Sequence, residues 1–215
     1  MNEMALAPRP RAGRPTRAQA EARHAELLDR ALDHFLDKGY DQTTIDGIAT
    51  DVGMTKRTVY ARYADKASLF RAAVRRAVER YKLPEKRLQA AVTDDITQTL
   101  NNIAMVRLEL VTSPQGLKLQ RIINTESYRF LDVFQDTYEL AGRQTIEFLA
   151  NLFDRETKAG RLAITDPFLA ANVFMSLVIS GPARLIIGSK RIPLKDLERR
   201  VAFCVGIFLE GTKPR

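Results

Sequence analysis

Between positions 55 and 62 the chain reads Thr55-Lys56-Arg57-Thr58-Val59-Tyr60-Ala61-Arg62, and six of those eight side chains end in a hydrogen-bond donor. Donors of this kind suit acceptor-rich partners. Arginine and lysine pair with the O6 and N7 edge of guanine, and hydroxyls and ammonium groups hold phosphate oxygens. Residue types suited to catalysis are sparse and badly spaced. His24 and His34 stand ten apart, whereas helical metal ligands recur three or four apart. Asp94 and Asp95 are adjacent and so project from different helix faces. The single cysteine, Cys204, excludes an intrachain disulfide and a multi-cysteine metal site and points to a reducing compartment. The sequence carries no phosphate-binding loop, nucleophile elbow or dinucleotide fingerprint. We therefore expect no catalytic residue, no cofactor and no metal.

The elements that position these donors read as helices. Leu28, Ala31, Leu32, Phe35 and Leu36 recur at three-and-four spacing, with Thr16 as an N-cap upstream and Gly39 as the terminator. Thr43 and Thr44 offer caps for a short second helix that buries Ile45, Ile48, Ala49 and Val52 and stops at Gly53. Thr55 caps a third segment, 56–63, and Asp65 a fourth, which runs through Leu69, Phe70, Val74 and Tyr81 before Pro84. Residues 44–63 thus read as two short helices about a tight turn. Ala49 is small at the crossing, Gly53 tolerates a positive φ, and Val59 anchors the second helix. Further helices are expected over 86–112, 115–126, 128–159, 166–187 and 194–211. Gly181-Pro182 is expected to kink or split the fourth of these.

Composition agrees with a folded helical protein that meets a polyanion. The 215 residues are 45% apolar and 28% charged, with a net charge of +8 and a pI near 9.8. The charge is focused. Residues 1–17 carry +3 and residues 53–82 carry nine basic side chains against Asp65 and Glu79, so the remainder is slightly acidic. The start of the chain has no apolar core for a secretory signal, and the longest apolar run, Val201 to Leu209, is far shorter than the ~20 residues of a membrane-spanning helix. No membrane partner and a cytoplasmic location are expected. The fold class expected is all-α, with a basic arm over 1–15, a helix-turn-helix domain over 16–84 and a larger helical body over 85–215.

The runs Thr43-Thr44-Ile45-Asp46-Gly47-Ile48-Ala49, Val52-Gly53-Met54-Thr55-Lys56-Arg57-Thr58-Val59-Tyr60 and Tyr63-Ala64-Asp65-Lys66-Ala67-Ser68-Leu69-Phe70 resemble the DNA-binding domain of TetR-family transcriptional regulators. Gly39-Tyr40 and Gly13-Arg14-Pro15-Thr16 match as well. The resemblance spans about 13–82 and implies a dimeric regulator on a palindromic double-stranded operator, with a helical body that binds a small-molecule effector. By position it implies base-proximal roles for Thr55, Lys56, Arg57 and Thr58, and phosphate contacts for Thr44, Tyr60 and Lys66. Tyr63 is left open between a phosphate contact and core packing. Arg14, with Arg9 and Arg11, belongs to an arm that could enter the minor groove. Ala61, Arg62 and Tyr63 depart from the common pattern, which bears on the operator sequence rather than the mode of binding.

For the body, the resemblance implies an effector cavity and a dimer interface built from the last two helices. Met105, Leu108, Glu109, Ile122, Phe148, Phe174 and Leu177 are candidate linings, since such sites are mostly apolar with few polar groups. Leu197, Val201, Val205 and Phe208 form a stripe on the final helix and are the candidate dimer face. Glu79, Arg80 and Tyr81 lie where an effector signal would pass to the DNA-binding helices. A non-sequence-specific nucleic-acid binder is the alternative, and an all-α enzyme a more distant one.

Overall fold

The computed structural model describes residues 16–137, 139, 142–187 and 193–214, and within these it gives no side-chain placement for 134, 136, 137 and 181–187. The expected arm, Arg14 included, lies outside the described residues. Eleven α-helices are seen and no strand among the described residues: α1 (Arg17–Gln42), α2 (Ile45–Asp51), α3 (Lys56–Tyr60), α4 (Lys66–Arg80), α5 (Glu85–Ala90), α6 (Ile96–Thr112), α7 (Pro114–Glu126), α8 (Leu131–Thr137), α9 (Arg143–Lys158), α10 (Pro167–Ile187) and α11 (Leu194–Gly211).

Local chemistry sets most boundaries. Thr16 accepts from the amide of Gln19 while the Gln19 side chain accepts from Thr16 N–H, a reciprocal capping box that starts α1. Gly39 breaks the helical path at φ 76°, a conformation costly for a residue with a Cβ. Thr44, Thr55 and Asp65 cap α2, α3 and α4 as the sequence indicates. Two long helices expected from the sequence are divided. Residues 86–112 become α5 and α6 because Asp95 caps a new start and Thr99 accepts from Thr93 N–H across the break. Residues 128–159 become α8 and α9. Of the kink or split expected at Gly181-Pro182, the split does not occur, since α10 runs on to Ile187.

Two apolar cores result, and they do not divide at residue 84. The first joins Leu27, Ala31, Phe35, Ile48, Val59, Leu69, Phe70 and Val74 of α1–α4 to Leu119, Ile122, Ile123, Phe130 and Val133 of α7 and α8. The second gathers Leu83 and Leu88 with Leu100, Ile103, Leu108, Leu149, Phe153, Phe174, Val201, Val205 and Phe208. Thus α7 and α8 pack with α1–α4 in space although they lie beyond residue 84 in sequence.

Candidate nucleic-acid interface

The turn between α2 and α3 is fixed from inside. Ile48, Ala49 and Val59 are buried, Gly53 takes φ 61°, and Met54 N–H donates to the Ala49 carbonyl at 2.8 Å. With Val59 inward, the opposite side of α3 faces solvent, and Lys56, Arg57, Thr58 and Tyr60 are exposed there. The candidate readers are therefore brought to one surface, though not in equivalent states.

Arg57 stands out on that surface, and among the described residues no ion pair holds it. Lys56 is engaged. Its Nζ donates to Asp46 Oδ2 at 2.9 Å, a pairing that raises its pKa, and lies 5.8 Å from the centre of the Tyr60 ring. Thr55 accepts from the Thr58 amide, and the two hydroxyls are 2.8 Å apart, so Thr55 is chiefly a helix cap. Thr44 caps α2 by accepting from Gly47 N–H at 3.1 Å, which leaves its own hydroxyl hydrogen able to reach a phosphate. Tyr60 is 43% exposed.

Two expectations need correction in their geometry. Tyr63 is only 9% exposed and its hydroxyl lies 2.5 Å from His24 Nε2, with the rings stacked. Burial raises the Tyr63 pKa and, with help from Arg62 and Arg76, lowers that of His24, so both neutral forms are favoured and the imidazole tautomer sets which of the two donates. Tyr63 is a packing residue. Lys66 turns inward as well. Its ammonium donates to the carbonyls of Tyr40 at 2.8 Å, Asp41 at 3.1 Å and Thr43 at 3.0 Å, and lies 4.4 Å from the Tyr40 ring centre. Three hydrogens meet three acceptors, so Lys66 fastens the α1–α2 corner instead of standing ready for phosphate.

No pairwise signal in the sequence linked Asp46 with Lys56, or His24 with Tyr63, because each pair joins different helices. Nor did the sequence reveal a cleft of about 310 Å³ between α1 and α3, lined by Arg23, His24, Met54, Thr55, Thr58 and Arg62. Its two arginines border the recognition surface.

In the body five of the seven candidate linings share the second core and two do not. Leu108 and Phe174 are buried in the second core, with Met105, Phe148 and Leu177 packed against it, whereas Ile122 belongs to the first. Glu109 is exposed and accepts from Arg87 at 2.9 Å, which removes it from any interior site. The candidate dimer stripe also turns inward. Leu197, Val201, Val205 and Phe208 are at most 8% exposed, and the last three belong to the second core. Among the described residues of these two helices, the large apolar side chains left in water are Phe168, Leu169 and Val173 on α10 and Leu194, Phe203 and Ile207 on α11. Helical spacing marked the stripe, but it could not tell the inner face from the outer one.

Residues 27–73 match the family described as bacterial regulatory proteins, tetR family, and residues 98–211 match the C-terminal domain of AefR-like transcriptional repressors. The helix-turn-helix regulator YdeS of Bacillus subtilis is 29% identical over 112 residues, 52% of this chain and 52% of that protein, so the match spans about half of its length. SrpR of Pseudomonas putida is 23% identical over 168 residues, covering 77% of this chain and 76% of SrpR. Among solved structures, a TetR-family regulator from Mesorhizobium loti superposes with a TM-score of 0.76 at 25% identity, covering 93% of this chain and 100% of that one. The flavonoid-responsive regulator FrrA gives 0.72 at 28% identity, covering 91% and 99%. No described helix is long and apolar enough to cross a membrane.

Proposed function

The chain belongs to the TetR family of transcriptional regulators, and from that premise we propose that it is a homodimeric repressor that binds a palindromic operator in the cytoplasm and leaves it when a small molecule occupies the helical body. The observation that carries the DNA half of the reading is the solvent-facing side of α3, where Arg57 projects opposite the buried Val59. In this mode the start of the second helix enters the major groove, and a two-fold axis sets the paired helices about 34–36 Å apart. Arg57 reads a base edge, Lys56 reaches DNA by exchanging its Asp46 partner, Thr44 and Tyr60 hold phosphates, and Arg23 with Arg62 flanks the same strand.

The dimer face in this reading is the exposed apolar strip of α10 and α11, centred on Val173, Phe203 and Ile207. Contiguous apolar surface of this kind marks an interaction site. Gly206 helps, since a Cβ there would meet nothing within 4 Å and the face is open to close approach. The likeness to a flavonoid-responsive regulator supports a small, largely apolar effector. Movement of α7 is the natural relay, because Leu119, Ile122 and Ile123 are part of the DNA-binding core. A coupling of about 1–3 kcal/mol would change operator affinity 5-to-150-fold.

The test is fluorescence anisotropy with the DNA upstream of the protein's own gene against a shuffled duplex at fixed salt. A specific site should bind about 10³-fold or more tightly. Equal affinity for both duplexes defeats the repressor reading and leaves a non-specific binder.

A further inference from the structure

The cleft of about 310 Å³ beside the recognition surface has the size and the mixed lining of a small-molecule site. Its floor is apolar, with Ala20 and Leu27 from α1 and Met54 from the turn between α2 and α3. Leu27 is 1% exposed and Met54 packs against the first core, so the floor is held by the same packing that fixes the turn.

Polar groups complete the lining. Arg23 stands on α1 and Arg62 just past the end of α3, and no acidic residue lines the cleft with them. Both arginines are exposed, and among the described residues no ion pair holds either one. The field inside is positive. Half-buried His24, also in the lining, has its pKa lowered by burial and then by the charges of Arg62 and Arg76. Like charges bordering one partly enclosed cleft repel each other, and a bound anion relieves both. Guanidinium groups pair well with phosphate, and two of them suit a dianion. The hydroxyls of Thr55 and Thr58 share one hydrogen bond of 2.8 Å, which leaves one hydrogen of the two for a ligand.

Phosphate oxygens could come from the operator backbone or from a small molecule, and the floor separates the two sources. A duplex presents charged phosphates at its surface and brings no apolar group to cover Leu27 and Met54, whereas an aryl ring does. We infer that the cleft is a second effector site, apart from the helical body, for a small aromatic phosphate ester: phosphate between Arg23 and Arg62, ring on the floor. Thr55 and Thr58 also belong to the exposed α3 surface, so on the DNA-binding reading above, on which this step rests, an occupant competes with the operator.

The experiment is calorimetric titration of the full-length protein with phenyl phosphate, inorganic phosphate and benzyl alcohol at fixed ionic strength. Phenyl phosphate should bind once per subunit, ten-fold or more tightly than either of the others. Arg62→Met should abolish its advantage over benzyl alcohol. Ala20→Phe, which fills the floor from α1, should abolish its advantage over inorganic phosphate. Should Ala20→Phe fail to fold, Ala20→Leu carries the comparison, with a loss of at least three-fold expected. Phenyl phosphate that binds no better than inorganic phosphate, or that keeps its affinity in either variant, overturns the site.

Anisotropy competition on the same samples reads the operator. Phenyl phosphate should displace it from the wild-type protein and not from Ala20→Phe, while inorganic phosphate displaces it from neither. Equal displacement by both anions overturns the competition, and loss of operator binding in Ala20→Phe assigns the cleft to the DNA backbone and overturns the small-molecule site. A protein that holds its operator but ignores phenyl phosphate remains a regulator without this site. One that binds phenyl phosphate through Arg62 but prefers no operator keeps the site and loses the regulator reading.

Discussion

The ring of Phe130, in the turn between α7 and α8, sits 4.7 Å from the ring of Phe70 in α4, centre to centre. Tyr40 closes the cluster at 4.9 Å from Phe130 and 5.4 Å from Phe70. Cations line its edges, with Arg71 over Phe130 at 5.1 Å and Arg129 over Tyr40 at 5.0 Å. Arg129 also pairs with Asp41, and Arg71 with Asp132. These side chains tie the body to the α1–α2 corner, immediately before the helix-turn-helix. The sequence pointed instead to Glu79, Arg80 and Tyr81 for this connection. Of these, Arg80 pairs with Asp29 of α1, and Tyr81 packs against the first core and lines a groove with Gln115, Lys118 and Leu119 of α7.

Truncating Phe130 to Ala should therefore destabilise the protein by about 3 kcal/mol, the low end for a buried phenylalanine in a core that can partly collapse. Hydrogen exchange at Tyr40–Thr43 should quicken more than exchange in α11. Unchanged melting would mean the ring is not part of the DNA-binding core.

Arg57→Ala and Lys66→Met should separate reading from construction. Loss of Arg57 should reduce discrimination between operator and shuffled DNA by about 1–3 kcal/mol with the melting temperature unmoved. Loss of Lys66 should lower melting and weaken binding to all DNA, yet leave the slope of log affinity against log salt as it was, since its charge is spent on carbonyls. A slope reduced by about one unit would return Lys66 to the phosphate contacts.

His24 is half-buried with a lowered pKa, so the unfolded chain takes up its proton more readily than the folded one. Its contribution to stability is full above the ordinary histidine range near pH 6.5 and is lost as the pH falls below it. Denaturant titrations between pH 7.5 and 5 should show that decline, and His24→Gln should flatten it. Tyr63→Phe should cost about 1 kcal/mol at neutral pH, the worth of one part-buried hydrogen bond.

Two substitutions on α11 distinguish the faces of that helix. Phe203→Glu should leave a folded monomer by light scattering, with operator affinity reduced. Val205→Glu, which buries a charge in the second core, should not fold. A dimeric Phe203→Glu protein would place the subunit contact elsewhere.

Much was legible along the chain because local chemistry specified it. Thr16, Thr44, Thr55 and Asp65 cap where their side chains can reach an amide three residues on, Gly39 and Gly53 turn where φ must be positive, and Val59 fixes which side of α3 faces outward. Those features depend on neighbours in sequence. What depended on distant neighbours was decided only in three dimensions. Lys66 found three carbonyls more than twenty positions away, Tyr63 found His24, and α7 and α8 joined the first core. The stripe at Leu197, Val201, Val205 and Phe208 has the periodicity of a buried face, and periodicity is the same whether the covering surface is the chain's own or a second subunit's. Only the packing of α6 and α10 against it assigned that stripe to the interior and left Phe203 and Ile207 exposed.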